Sequence, residues 1–568
     1  MRSFHPYVLL SVLLMFGCSD DTGGNAGTGG DAGQGGSGGT GGNGGMTGGL
    51  GPIDDSVIAE LLLIPGFVPA ANPETSEETP AMLNQARINR YRANEDPAPA
   101  PRAIIVAVPG FLGGGPSFDG LARAMVRWGA QADFPVEVWA IDRRSNGLED
   151  LTGMNAAERD GDAEIATRYY FEGEEVDGQV FAGYAPQSSV SYMSEWGLET
   201  HIEDLRAVID LIPANEQRGH IFMAGHSFGA SLTEQYAAWR FASDDKRGAE
   251  QLAGMIFLDG LMGDTPSEQE DFESGLADIR TGDRYTTLPL LGIDVYTVAE
   301  IGTLRAWFDP SGVTADERRD MAVRILTGLT EVPQLTNAAA AGIGFDSMYQ
   351  PLGFVRMSLG DLTGGPVEEY ESALAGGATL FRPTDPSATY DWIDAFDLSP
   401  PDFTPLVNYV VGFTIGQSNF AEWYFPSRIS LDSGAARGTG FPEDGWQTDY
   451  GIRAFDGALN GAPALCIPGA LVGDTARCDA LRTRLAPTVG EGRPQAGATR
   501  PWGASGRRRD TDVPQRRPPV GRNFRGQSDP GCRRRLSSGP HRARRGHLTV
   551  VLRTLRPKRQ TRATLRSA

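Results

Sequence analysis

Gly225-His226-Ser227-Phe228-Gly229 sets a serine two residues from a glycine on each side. A serine hydroxyl attacks a carbonyl only when a base takes its proton and donors stabilise the oxyanion that forms. Glycines at these positions let the chain turn sharply from strand to helix and leave Oγ exposed. The apolar stretch 220–224 before the motif and the helix formers of 232–240 after it supply that strand and helix. The helix then aims its positive N-terminal end at the site. His226 neighbours the nucleophile, and its place in the strand assigns it to packing.

Acyl transfer also needs an oxyanion hole, an acid and a base. One donor is the N–H of the residue after the nucleophile, Phe228. The other belongs in a loop after an earlier strand. Val108-Pro109-Gly110-Phe111-Leu112-Gly113-Gly114 follows such a strand, and Phe111 N–H is the candidate. Two aspartates compete as the acid. Asp259 sits at the edge of the strand 254–258, where catalytic groups gather in open α/β sheets. Asp474 follows a later strand by several residues and is the alternative. The base is the weak point. The histidines are 5, 201, 220, 226, 541 and 547, and in the chain order Ser, acid, His only His541 and His547 come late enough.

The elements that must hold these residues alternate. Apolar runs at 103–108, 136–141, 220–224 and 254–258 predict buried strands. Helical spacing falls between them at 118–128, 198–211 and 232–240. This alternation predicts an α/β protein, a mostly parallel sheet with helices on both faces. Its first part spans 53–263 and a last strand and helix lie within 456–487, at 462–467 and 475–485. The intervening 264–455 exceeds what a connection needs and reads as a large cap or lid insertion. Cys466 and Cys478 are close enough in sequence to bridge, and Cys466 as a small apolar strand residue is the equal alternative.

The ends differ from the body. Residues 1–18 carry Arg2, a short apolar run and Gly17-Cys18, the pattern of a lipoprotein-type signal with lipidation at Cys18. Residues 19–52 are a Gly-rich flexible tether. Together they predict an exported, lipid-anchored protein, on the outer membrane or cell surface of a Gram-negative bacterium. Residues 488–568 form an anomalous Arg-rich tail, read as disordered or as the product of a shifted reading frame. The net charge is −21, yet residues 491–568 hold 21 Lys and Arg against 4 Asp and Glu. The body is therefore strongly acidic, which excludes nucleic acid as its partner. No metal-ligand spacing and no dinucleotide glycine pattern occurs, so no cofactor and no metal are expected.

The residues Val138–Asn146 with Leu148-Glu149-Asp150, Glu195-Trp196-Gly197 with Ile202–Leu205, the Gly225–Gly229 motif and Leu252–Gly260 resemble a secreted α/β-hydrolase group of actinobacteria and myxobacteria. The likeness covers 100–265 well, the cap poorly and 462–486 moderately. It implies the α/β-hydrolase fold and an acid at Asp259. It also implies a closing Tyr-x-His-x-Asp segment carrying the base, which this chain lacks. The resemblance gives no substrate. The sequence thus predicts a serine ester hydrolase working through an acyl-enzyme on a small, partly apolar ester. The alternative is a non-catalytic or impaired hydrolase-like surface binding protein without its histidine.

Overall fold

The computed structural model describes residues 55–260, 265–287, 292–352, 357–394, 406–414, 418–438, 440–455 and 463–468, with Gly263, Cys478 and a few positions between 47 and 52. Cys18, Asp474, His541 and His547 lie outside the described residues, as do the signal 1–18 and the tail 488–568. Of the helix expected over 475–485, only Cys478 is described.

Among the described residues a seven-stranded sheet forms the centre. Its strands are β1 (Val57–Pro65), β2 (Gln85–Ala93), β3 (Ala103–Val108), β4 (Val136–Asp142), β5 (Ile221–His226), β6 (Gly254–Leu258) and β7 (Ala464–Ile467). Their spatial order is β7-β6-β5-β3-β4-β2-β1. The ladders β4/β3, β3/β5, β5/β6 and β6/β7 are parallel, while β2 runs antiparallel to both β1 and β4. This order and the elbow after β5 make it an α/β-hydrolase fold. The strand expected from His220 begins instead at Ile221, because His220 closes the short helix Ala214–His220 and its Nδ1 lies 2.9 Å from Glu216 O.

Strand β3 shows why the middle of the sheet reads as continuous apolar runs. Ile104, Val106 and Val108 face a core built with Leu198, Ile202, Leu205 and Val208 of α2 (Leu198–Ile209) and Leu232 and Tyr236 of α3 (Phe228–Ala238). Ile105 and Ala107 face the opposite side, where Ala122 and Val126 of α1 (Asp119–Gln131) pack. Alternation along the strand thus buries both faces. Strand β1 forms the sheet edge, and β2 beside it is not legible as an apolar run. Arg90 and Arg92 interrupt β2, and they pair with Glu137 and Glu60 on the neighbouring strands.

Past β6 the chain builds a second apolar cluster. Trp307, Tyr409, Trp423 and Tyr424 join Tyr169, Tyr170, Tyr192 and Trp196, so the segment between β4 and α2 packs with the residues that follow β6. Cys466 and Cys478 are bridged, their Cα atoms 5.8 Å apart. No helix among the described residues is long and apolar enough to cross a membrane.

Ile202 is fully buried between α2 and the sheet. Ile202→Ala is expected to lower stability by about 2–5 kcal/mol, the usual cost of deleting a large buried aliphatic side chain. A urea melt followed by circular dichroism checks this, and an unchanged midpoint would remove Ile202 from the core.

Candidate active site

The strand order reverses at β3. Its successor β4 lies on one side and β5 on the other. In an open α/β sheet the crevice beyond the carboxyl ends at such a reversal is where ligands bind. The loop 109–114 leaves β3 there, and Ser227 leaves β5 beside it.

Ser227 has φ 52° and ψ −118°, a left-handed conformation strained for any residue with a Cβ. Close backbone packing holds it. A Cβ on Gly225 would stand 2.1 Å from Gly229 O, and one on Gly229 would stand 2.0 Å from Val108 O. A Cβ on Gly260 would stand 2.2 Å from Ser227 O. Ser227 N–H donates to Leu258 O at 3.0 Å, tying the elbow to the end of β6. Gly260 is a contributor that the motif alone does not reveal. Its signal in the sequence is the Asp-Gly pair closing β6.

The loop after β3 rests on the nucleophile. A Cβ on Gly110 would stand 3.1 Å from Ser227 Cβ and 3.5 Å from His226 Nδ1. Phe228 opens α3, so its N–H is among the unpaired donors at a helix start. Phe111 lies in the loop against the elbow. Both phenyl rings meet the same partner, Phe425, at centroid distances of 4.7 Å for Phe111 and 5.8 Å for Phe228. The side chains of the two residues expected to supply the oxyanion donors therefore meet one ring from the segment after β6.

Asp259 follows β6 directly, with φ 44°. Burial lowers the pKa of His226 below its usual value, while the charge of Asp259 acts in the opposite direction. Asp259 and the His226 imidazole are thus electrostatic neighbours. His201 is buried on α2, where burial, and then Arg143 and Arg144, hold it well below the ordinary histidine range. None of His201, His220 and His226 hydrogen-bonds Ser227 among the described residues. Asp474, the alternative acid, and His541 and His547, the candidate bases, are not among those residues. No group of three or more His, Cys, Asp or Glu there could hold a metal ion.

The segment 418–425 is stitched to the loop 109–114. Gly114 N–H donates to Phe420 O at 2.7 Å and Glu422 N–H to Leu112 O at 2.9 Å. The Asp142-Arg143-Arg144 run makes ion pairs. Arg144 binds Asp204 at 2.7 Å and Arg143 binds Glu422 at 2.7 Å. Asp142 accepts from Gly115 N–H at 2.6 Å and from the Ser418 hydroxyl. Two further glutamates lie in this seam. Glu149 accepts from Trp423 N–H at 2.8 Å, and burial raises its pKa well above the usual carboxylate value. Burial pushes Glu300 up to about 8, and the indole of Trp423 is its donor at 3.3 Å.

No protein-family model matches this chain, and no curated protein matches it. Similar solved structures include an S-formylglutathione hydrolase from Staphylococcus aureus, at 12% identity over 39% of this chain and 70% of that one, TM-score 0.19. A peroxisomal alpha-beta-hydrolase from Saccharomyces cerevisiae is 10% identical over 48% of this chain and 58% of that one, TM-score 0.23. A carboxyl esterase from Bacillus coagulans is 16% identical over 40% of this chain and 53% of that one, TM-score 0.21. At these values the likenesses carry no argument about activity, and the fold rests on strand order and elbow geometry.

Two outcomes follow from this geometry. Gly260→Ala forces a Cβ against the Ser227 backbone, an overpacking expected to cost about 1–3 kcal/mol. A denaturant melt reads the loss, and a wild-type midpoint would mean that the contact relaxes freely. Glu300 binds its proton up to about pH 8 when folded but only to about 4.5 when unfolded. Between those values the folded state holds more protons, so this group's contribution to stability falls as pH rises through the window. Glu300→Gln should therefore flatten the decline in melting temperature between pH 5 and pH 8; an equally steep decline in the variant contradicts the assignment.

Proposed function

We propose that the protein is a serine ester hydrolase that works through an acyl-enzyme. The observation that carries this reading is Ser227 at φ 52° between β5 and α3, with the 109–114 loop resting on it. In the reaction Ser227 Oγ bonds to the carbonyl carbon and its proton passes to the base. The oxyanion is held by the N–H groups of Phe228 and Phe111. The tetrahedral adduct collapses, the bond to the alcohol breaks, and the alcohol leaves with the proton. Water then repeats the sequence and frees the acid. Asp259 orients the base. Phe111, Phe228 and Phe425 around the elbow suit an ester with an apolar acyl or alcohol group. A serine nucleophile sets this chemistry apart from dehalogenation and epoxide opening on the same fold, which use aspartate.

We place this activity outside the cytoplasm, with the chain tethered to a membrane through a lipid at Cys18. The Gly17-Cys18 pair at the end of the apolar run and the Gly-rich stretch behind it support that placement. No well-placed base is legible in the sequence; His541 and His547 are the weak candidates that chain order leaves. A second reading, a non-catalytic or impaired surface binding protein, is favoured by the sequence, in which the histidines late enough to serve, His541 and His547, fall in the anomalous Arg-rich tail.

A fluorophosphonate probe separates the two readings. Ser227 Oγ displaces fluoride from phosphorus, so an O–P bond forms as the P–F bond breaks and the hydroxyl proton is released. Labelling that disappears in Ser227→Ala supports the hydrolase. Absence of labelling in the folded chain supports the binding protein. His541→Ala and His547→Ala then report whether the C-terminal segment supplies the base, by a loss of labelling rate of several orders of magnitude in one of them.

A further inference from the structure

Arg143 is almost wholly buried at the end of β4 and has no route to solvent for its charge. Its guanidinium is spent on backbone. Nη2 donates to Pro109 O at 2.8 Å and to Gly110 O at 3.1 Å, and Nη1 donates to Gly113 O at 3.1 Å. All three carbonyls belong to the loop that lies on Ser227. In a trans peptide the carbonyl and the following N–H point in opposite directions. Turning the Pro109 and Gly110 carbonyls toward Arg143 therefore turns the Gly110 and Phe111 N–H groups away from it. The same loop carries Leu112 at φ 59°, a conformation that a branched side chain resists. Arg143 grips the chain on both sides of that residue.

The grip has its own support. Glu422 Oε2 accepts from Arg143 Nη1 at 2.7 Å, and Glu422 Oε1 accepts from the Ser145 hydroxyl. The guanidinium lies over the Phe425 ring, 4.8 Å from its centroid, and Phe425 is the ring that touches both Phe111 and Phe228. A planar fork with five donors meets three carbonyls and a carboxylate at once; an ammonium has three donors and no fork.

We propose that Arg143 is the positioning residue of the oxyanion hole, drawing the carbonyls of Pro109, Gly110 and Gly113 to one side so that the Phe111 N–H faces Ser227, and that Glu422 holds Arg143 in place. This rests on the serine-hydrolase reading above. Arg143 touches no reacting atom. If its hold is lost, the Gly110–Phe111 peptide is free to rotate, and a carbonyl oxygen then faces the developing negative charge.

The test uses the full chain with Arg143→Lys and Glu422→Gln. Glu422→Gln keeps the shape and an acceptor oxygen, so it remains informative if Arg143→Lys fails to melt cooperatively. The limiting rate of Ser227 labelling by an ethyl fluorophosphonate is expected to fall about 10²-fold in Arg143→Lys, the effect of losing one oxyanion donor. Glu422→Gln should lose less in the same direction. The half-saturating probe concentration should stay at the wild-type value in both. Amide hydrogen exchange should quicken over 109–115 and remain unchanged over 85–93. Wild-type limiting rates in both folded variants overturn the proposal, even where exchange quickens, because the residue is then merely structural. If wild-type Ser227 is not labelled at all, the hydrolase reading fails and the oxyanion-hole role of Arg143 falls with it; labelled wild type with unslowed variants overturns the role of Arg143 alone.

Discussion

The backbone at Ser227 can exist only because three other stretches of backbone come within contact distance of it. Left-handed strain at a residue with a side chain costs roughly 1–3 kcal/mol and persists only where the surroundings over-determine it. Here they do. Gly225 meets Gly229, Gly229 meets the last carbonyls of β3, and Gly260 meets Ser227 itself. Each contact ties the elbow to a different strand, so its geometry is a property of the sheet. The buried faces of β3, β5 and β6 supply the apolar driving force that keeps those strands in register. A serine set in this way is held rigid by the sheet itself.

The seam between the 109–114 loop and segment 418–425 works on the opposite principle. It is polar, buried and demanding. Taking an arginine and a glutamate out of water is repaid only when every donor and acceptor is placed, and removing one partner of such a pair costs about 3–5 kcal/mol. Arg143, Glu422 and Ser145 bond to one another there, Ser418 bonds to Asp142, and of the Arg143 donors Nε alone lacks a partner among the described residues. In the same seam burial raises the pKa of Glu149 well above the usual carboxylate value and pushes Glu300 up to about 8. Apolar packing alone would hold the two segments together but would leave the orientation of each peptide free. Directional bonds to named carbonyls set that orientation.

The sequence reveals what local patterning controls. Residues 103–108 and 254–258 announce strands because both of their faces are buried, and the glycines flanking Ser227 announce the turn. Strand β2 escapes notice because Arg87, Arg90 and Arg92 interrupt its apolar pattern. His220 reads as part of a strand because His-Ile-Phe-Met is apolar from its second residue, yet the backbone there is still helical. The Asp142-Arg143-Arg144 run is conspicuous in sequence, but its anions are not. Glu422 lies 279 positions from Arg143. No periodicity connects residues so far apart. For the same reason Phe425 could not be foreseen as the ring shared by Phe111 and Phe228.

A buried ion pair that spans two segments has a meaning for modularity. On many scaffolds an insertion over the catalytic face behaves as an accessory that can be exchanged or shortened while the core goes on working. The 418–425 segment is not of that kind. It completes the hydrogen bonding of the 109–114 loop and neutralises a charge that the core has already buried. Excising it would leave Arg143 facing apolar surroundings with its counter-ion gone, and the loop on Ser227 would lose two of its backbone bonds. Lineages that diversify this protein by loop exchange must therefore carry 143 and 422 together, as a single inherited unit.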